Sequence, residues 1–229
     1  MNQDLNNLYI LIQARVRSTR LPGKIFFQFC NELVIDRVIK IAKKINNSKN
    51  IFILSGNKKY NKILDFVAKK NNVKIFYGSE INVFKRFLDF IKNQKVKPKY
   101  ICRLTSDGYL IQPSIVKKMI NDIKRYNYDY SYVKPLSHFA GEIVKTSLFF
   151  KKKNISSLAK EHVTWDFRNA PNLIVKAYNS NFCNLNHKNF LVLDSIKDFV
   201  KMKIIEKKFP NLKKLDCIKT IKKAVKYIN

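Results

Sequence analysis

Reactive side chains are densest in Gln13–Lys24, QARVRSTRLPGK, where three arginines, a lysine, a serine and a threonine follow the apolar run Leu8–Ile12. Arg15, Arg20 and Lys24 bring positive charge, and arginine offers forked donors that match phosphate oxygens. Ser18 and Thr19 add hydroxyls, and Gly23 would let backbone approach closely. The inventory suits a polyphosphate, although charge runs are more often solvated turns. The spacing is neither GxxxxGK[ST] nor GxGxxG, so no P-loop or dinucleotide fingerprint is present.

Two carboxylates stand beside this loop as candidates. Asp107 lies in TSDG (Thr105–Gly108), just past the apolar run YICRLT, and Asp194 ends LVLD immediately before Ser195. Each could hold a divalent cation, and each could instead cap a following helix. Arg103 sits inside a strand-like run, where a buried guanidinium needs a ligand or an ion-pair partner. Glu161 and His162 form an adjacent titratable pair, readable as site residues or as a polar helix start. His138 and His187 lack such context, and the single tryptophan, Trp165, reads first as core and second as an aromatic floor for a sugar.

The elements that must carry these residues alternate. LYILIQA reads as a buried strand, and Val34, Val38, Ile41 and Ile45 then mark one face of a helix. NIFILS, VKIFYG, YICRLT and YDYSYV read as further strands. Helices are expected over Ile63–Ala68, Val83–Ile91 and Pro113–Tyr126, the last opened by a proline suited to a first turn. This alternation predicts an α/β fold with a mainly parallel sheet, whose ligands sit at the carboxyl ends of the strands. FLVLDS (Phe190–Ser195) reads as a late strand, followed by helices over Ile196–Lys208 and Cys217–Ile228. The pattern weakens over residues 134–188, a stretch suited to a lid or dimerisation insert within a single domain spanning 1–229.

Composition narrows the function classes. The 229 residues are 46% hydrophobic with no long apolar run, and the N-terminus lacks a signal-peptide layout, so a cytoplasmic protein without a membrane span is expected. Cys30, Cys102, Cys183 and Cys217 are scattered, arguing against zinc or a disulfide framework. The net charge of +30 would suggest nucleic acid, but it comes from 38 lysines spread along the chain and only eight arginines. Nucleic-acid binding is therefore not expected, and three arginines in one loop become the informative feature.

Five segments resemble, in order, the CMP-sugar synthetase-like nucleotidyltransferases, in the branch typified by spore coat polysaccharide biosynthesis protein F. They are QARVRSTRLPGK, YGSEINVFKRF (Tyr77–Phe87), RLTSDGYLIQP (Arg103–Pro113), KEHVT (Lys160–Thr164) and LVLDSIKDF (Leu191–Phe199). The resemblance implies a glycosyltransferase-A-like, Rossmann-like three-layer fold and transfer of CMP from CTP to a surface-glycan sugar, acidic or modified, with release of pyrophosphate. It implies Mg²⁺ held by Asp107 and Asp194, with Arg15, Lys24 and Asp107 as catalytic residues. Gln13, Ala14, Arg15, Ser18, Arg20, Lys24, Ser55, Arg103 and Asp107 would bind the nucleotide, and Glu142, Glu161 and His162 the sugar. A homodimer is also implied. Competing readings are a nucleotidyltransferase for a phosphorylated acceptor, such as a sugar 1-phosphate or phosphocholine, a non-catalytic paralogue, and a basic nucleic-acid-binding domain. The chain departs from the family at Arg17, Ser106, Gly108-Tyr109, Gln112 and Ala140.

Overall fold

The apolar runs become strands buried on both faces. The computed structural model describes residues 7–134, 139–179 and 191–228. Its strands are β1 (Leu8–Gln13), β2 (Gln28–Phe29), β3 (Glu32–Leu33), β4 (Ile51–Ser55), β5 (Lys74–Tyr77), β6 (Tyr100–Thr105), β7 (Tyr130–Lys134), β8 (Glu142–Lys145) and β9 (Val175–Asn179). Its helices are α1 (Val34–Ile45), α2 (Lys58–Asn61), α3 (Ile63–Lys70), α4 (Val83–Lys92), α5 (Pro113–Arg125), α6 (Ser147–Lys151), α7 (Ser157–Glu161), α8 (Trp165–Arg168), α9 (Ile196–Lys208) and α10 (Ile218–Ile228).

Seven strands form one sheet in the order β5-β4-β1-β6-β8-β7-β9. β8 alone runs antiparallel to its neighbours, while β1 pairs in parallel with both β4 and β6. Side chains alternate across a strand, and the core divides accordingly. Ile10, Ile12, Ile51, Ile53, Cys102 and Leu104 face α1, α3 and α5. Leu11, Phe52, Leu54 and Ile101 face α4, α6 and α8, where Phe84, Phe87, Phe149 and Phe167 pack. The expected α/β architecture is thus present as a helix–sheet–helix sandwich.

Flanking this sandwich, α9 and α10 close over the β2–β3 hairpin in a further apolar cluster. The two-residue turn of that hairpin places Cys30 and Asn31 at φ 52° and 63°, the left-handed pair that a tight hairpin needs. Arg37 of α1 is buried beneath it and donates to the carbonyls of Tyr109, Leu212 and Lys214 at 2.7, 2.6 and 2.9 Å.

One expectation changes. Among the described residues Leu191–Asp194 joins no ladder and is not a strand, and Leu191 and Leu193 are apolar because they plug the α9–α10 cluster. Within 134–188, β8 and β9 are strands of the central sheet. Phe190, Cys183, His138 and His187 lie outside the described residues. Cys30, Cys102 and Cys217 are free thiols, and burial raises Cys102 to about 12 and Cys30 to about 11.

The chain winds outward from β1 to β4 and β5, then returns to place β6 on β1's other side. The strand order therefore switches direction between β1 and β6. Such a switch opens a crevice at the strands' carboxyl ends, and the candidate residues converge there.

Candidate active site

The loop after β1 is braced before it reaches the crevice. Val16 N–H donates to buried Asn61 Oδ1 at 2.9 Å, and Gly23 N–H closes back on the Val16 carbonyl at 3.0 Å. Gly23 has φ +69°, and an added Cβ would meet nothing within 4 Å. Its glycine therefore serves the left-handed turn into the 3-10 helix Lys24–Phe26, not the close approach expected from sequence. That turn delivers Lys24 into the cleft.

Lys24 Nζ donates to Asp107 Oδ2 and, at 2.6 Å, to Asp194 Oδ1, while Arg20 reaches Asp194 Oδ2 at 3.1 Å. Neither aspartate caps a helix. α9 begins with a capping box formed by Ser195 and Asp198, and α5 has Gln112 at its N-cap. Both carboxylates are left to face the cleft. Burial would raise the Asp107 carboxyl, but the ammonium of Lys24 overrides it and holds the group below its ordinary value. The cation expected at phosphate thus bridges the two residues expected at metal.

The cleft measures about 340 Å³ and has two walls. One is the loop side, with Arg15, Ser18, Arg20, Lys24, Asp107 and Asp194. The other runs over the α4 face of the sheet, with Gln13, Arg103, Glu161 and His162. Three expected residues lie elsewhere. Ala14 and Ser55 are buried outside the lining, and the Ser55 hydroxyl has no partner among the described residues. Glu142 is fully buried behind Arg103. Its place at the sugar is corrected by its chemistry: two guanidiniums surround it, and despite burial they lower its carboxyl to about 2.

An arginine-rich cleft with paired aspartates at a strand-order switch can hold a polyanion and a divalent cation. Asp107 and Asp194 are the residues that could bind the cation. A cytidylyltransferase family model matches residues 9–226. The chain belongs to the cytidylyltransferase family. It is 34% identical over 178 residues to the spore coat polysaccharide biosynthesis protein SpsF of Bacillus subtilis (strain 168), covering 74% of this chain and 73% of that protein. The solved structure of a cytidylyltransferase from Leptospira borgpetersenii is similar at TM-score 0.73 and 25% identity, covering 90% of this chain and 96% of that one. A CMP:2-keto-3-deoxy-manno-octonic acid synthetase complexed with CTP shares the fold at TM-score 0.65 and 11% identity, over 88% and 98%. The fold is that of the nucleotide-sugar transferases.

This cytidylyltransferase also resolves its departures from the family. Arg17 does not crowd the cleft; its guanidinium lies 4.0 Å from the centroid of the Tyr60 ring. Gln112 is a structural link, with Oε1 accepting from Cys217 N–H at 2.8 Å and Nε2 donating to the Leu110 carbonyl at 2.7 Å. Ala140 is packed in the core, and Ser106 lines the cleft. The cleft residue that sequence reasoning missed is Arg86 of α4. It supports the Ser79 and Glu80 carbonyls at 2.9 and 3.1 Å. Burial, opposed by Glu80 and reinforced by Arg15, lowers it to about 10, so it stays charged at neutral pH. The scarcity of arginine was the signal that could have found it.

Proposed function

We propose that the protein transfers CMP from CTP to an acidic or modified surface-glycan sugar and releases pyrophosphate. The observation that carries this reading is the convergence of Asp107 and Asp194 on Lys24 beneath the Arg15–Arg20 loop. The polysaccharide role named for the Bacillus relative supports a glycan acceptor. The cationic wall of Arg86 and Arg103 supports an acidic one.

In this reading Arg15, Arg20 and Lys24 hold the β- and γ-phosphates. A sugar hydroxyl bonds to the α-phosphorus as the α–β bridging bond breaks. Negative charge then grows on the departing pyrophosphate, where fixed cations stabilise it without reorganising. Glu161 and His162 face the acceptor from the opposite wall. Two aspartates suit Mg²⁺, which commonly takes one or two protein carboxylates beside phosphate oxygens and water. Bound there, the ion would supply charge neutralisation and acidify the attacking hydroxyl.

The test is pyrophosphate release with each of four nucleoside triphosphates and a panel of acid sugars, with and without Mg²⁺. CTP should be preferred. Asp107→Asn should lose at least about 100-fold in turnover, a loss typical of removing a key electrostatic group, with its melting curve retained. Wild-type turnover in that variant would refute the metal assignment. Turnover only with phosphorylated acceptors would replace the acceptor class.

A further inference from the structure

The Glu142 carboxylate is saturated. Oε2 receives Arg103 Nη1 at 2.5 Å and Thr164 Oγ1 at 2.8 Å, and Oε1 receives the Tyr130 hydroxyl and Arg168 Nη2, each at 2.7 Å. Four donors fill the sites a carboxylate offers, leaving none for a ligand. Its influence must pass through the groups it holds.

Arg103 is one such group. With Nη1 fixed by Glu142, its Nε donates to Gln13 Oε1 at 2.9 Å. A guanidinium nitrogen can only donate, so the Gln13 atom that faces it must be the carbonyl oxygen. The opposite orientation would set donor against donor. The Gln13 NH₂ therefore points away from Arg103, in a residue that lines the cleft, and no protein acceptor takes it among the described residues. Thr164 ties the same carboxylate to the segment that carries Glu161 and His162.

We propose that Glu142 is a positioning residue that acts through Arg103 to turn the Gln13 NH₂ into the cleft, where it binds a carbonyl or carboxylate oxygen of a substrate. The inference rests on the nucleotidyl-transfer reading. The oxygen has two sources, the pyrimidine carbonyl of CTP and a carboxylate or carbonyl of the sugar, and separate measurements on each substrate distinguish them.

Gln13→Glu is the direct test, because it keeps the side chain's shape and satisfies Arg103 while replacing the donor with an acceptor. CTP dissociation constants come from calorimetry, and KM and kcat for both substrates from pyrophosphate release. Either the CTP dissociation constant or the sugar KM should rise by about 10- to 100-fold, the loss expected when a hydrogen bond formed in the occupied cleft is replaced by a mismatch, with kcat moving far less. Glu142→Gln should raise the same constant in the wild-type background and add nothing in the Gln13→Glu background. Additive effects would mark Glu142 as a purely structural residue and overturn its positioning role. Both constants staying within about twofold in Gln13→Glu would overturn the inference outright. If the wild type turns over no sugar, the transferase reading fails on its own. The CTP titration then decides this inference alone, and an unchanged constant refutes it.

Discussion

At the scale of single residues, the site is governed by how two ammonium- or guanidinium-held carboxylates are neutralised. Lys24 keeps Asp107 ionised against burial, which alone would raise its carboxyl. Lys24→Met should therefore leave Asp107 with a raised pKa. A carboxyl that binds its proton more tightly when folded favours the fold at low pH and weakens it as pH rises. Urea midpoints of Lys24→Met should accordingly fall more than those of the wild type as pH rises through and above the ordinary carboxyl range. Glu142 behaves in the opposite sense. Its carboxyl is lowered from 4.5 to about 2, so its stabilisation is complete above 4.5 and is lost as pH falls towards 2. Glu142→Gln should flatten that acid limb in a denaturation series, at the cost of lower stability at neutral pH. Gly23→Ala isolates the backbone: no atom would meet the new methyl, yet φ +69° disfavours it. A loss of about 1–2 kcal/mol is expected, with turnover falling because Lys24 is re-aimed.

At the scale of elements, the lengths and faces of the strands decide what was legible. β1, β4 and β6 are apolar runs buried on both sides, and helices α1, α4 and α5 show their buried stripes directly in the spacing. β8 is only four residues, EIVK, with the buried ion-paired Glu142 at its start, so it carries no strand period. β9 is half-exposed and mixed in character. Leu191–Asp194 misleads in the other direction, since plugging a helix cluster needs the same apolar residues as a strand. The site was legible where side chains sit at strand ends, as with Gln13 and Asp107. It was only faintly legible at Arg86, a rare arginine within Tyr77–Phe87 that one turn of α4 carries among phenylalanines, and the buried role of Glu142 was not legible, because it depends on partners far away in sequence. Arg37 shows an element held by one side chain, because its donors gather the carbonyls around Pro210–Lys213 and the loop after Asp107. Arg37→Met should cost about 3–5 kcal/mol in urea unfolding, as expected when a buried, multiply bonded charge is lost and its partners are left unpaired.

At the scale of the whole molecule, charge is spent in two ways. Thirty net positive charges repel one another across a lysine-covered surface, while four of the eight arginines, at 15, 20, 86 and 103, line the cleft. Salt screens both, as the Debye length falls from about 30 Å at 0.01 M to about 8 Å at 0.15 M. Raising NaCl over that range should raise the melting temperature by relieving repulsion and, in the same samples, raise the KM for CTP by weakening its attraction. Among the described residues no helix is long and apolar enough to cross a membrane. The sheet has a temporal side as well. β7 is synthesised before β8, yet β8 lies between it and β6. Until residues 142–145 leave the ribosome, β6 presents a bare edge and β7 has no ladder to join. Unpaired edges of this kind recruit other chains. A nascent chain stalled with residues 142–145 still inside the exit tunnel should therefore depend on chaperones more than one stalled after they have emerged, making this four-residue strand the step that commits the molecule to one half of its sheet.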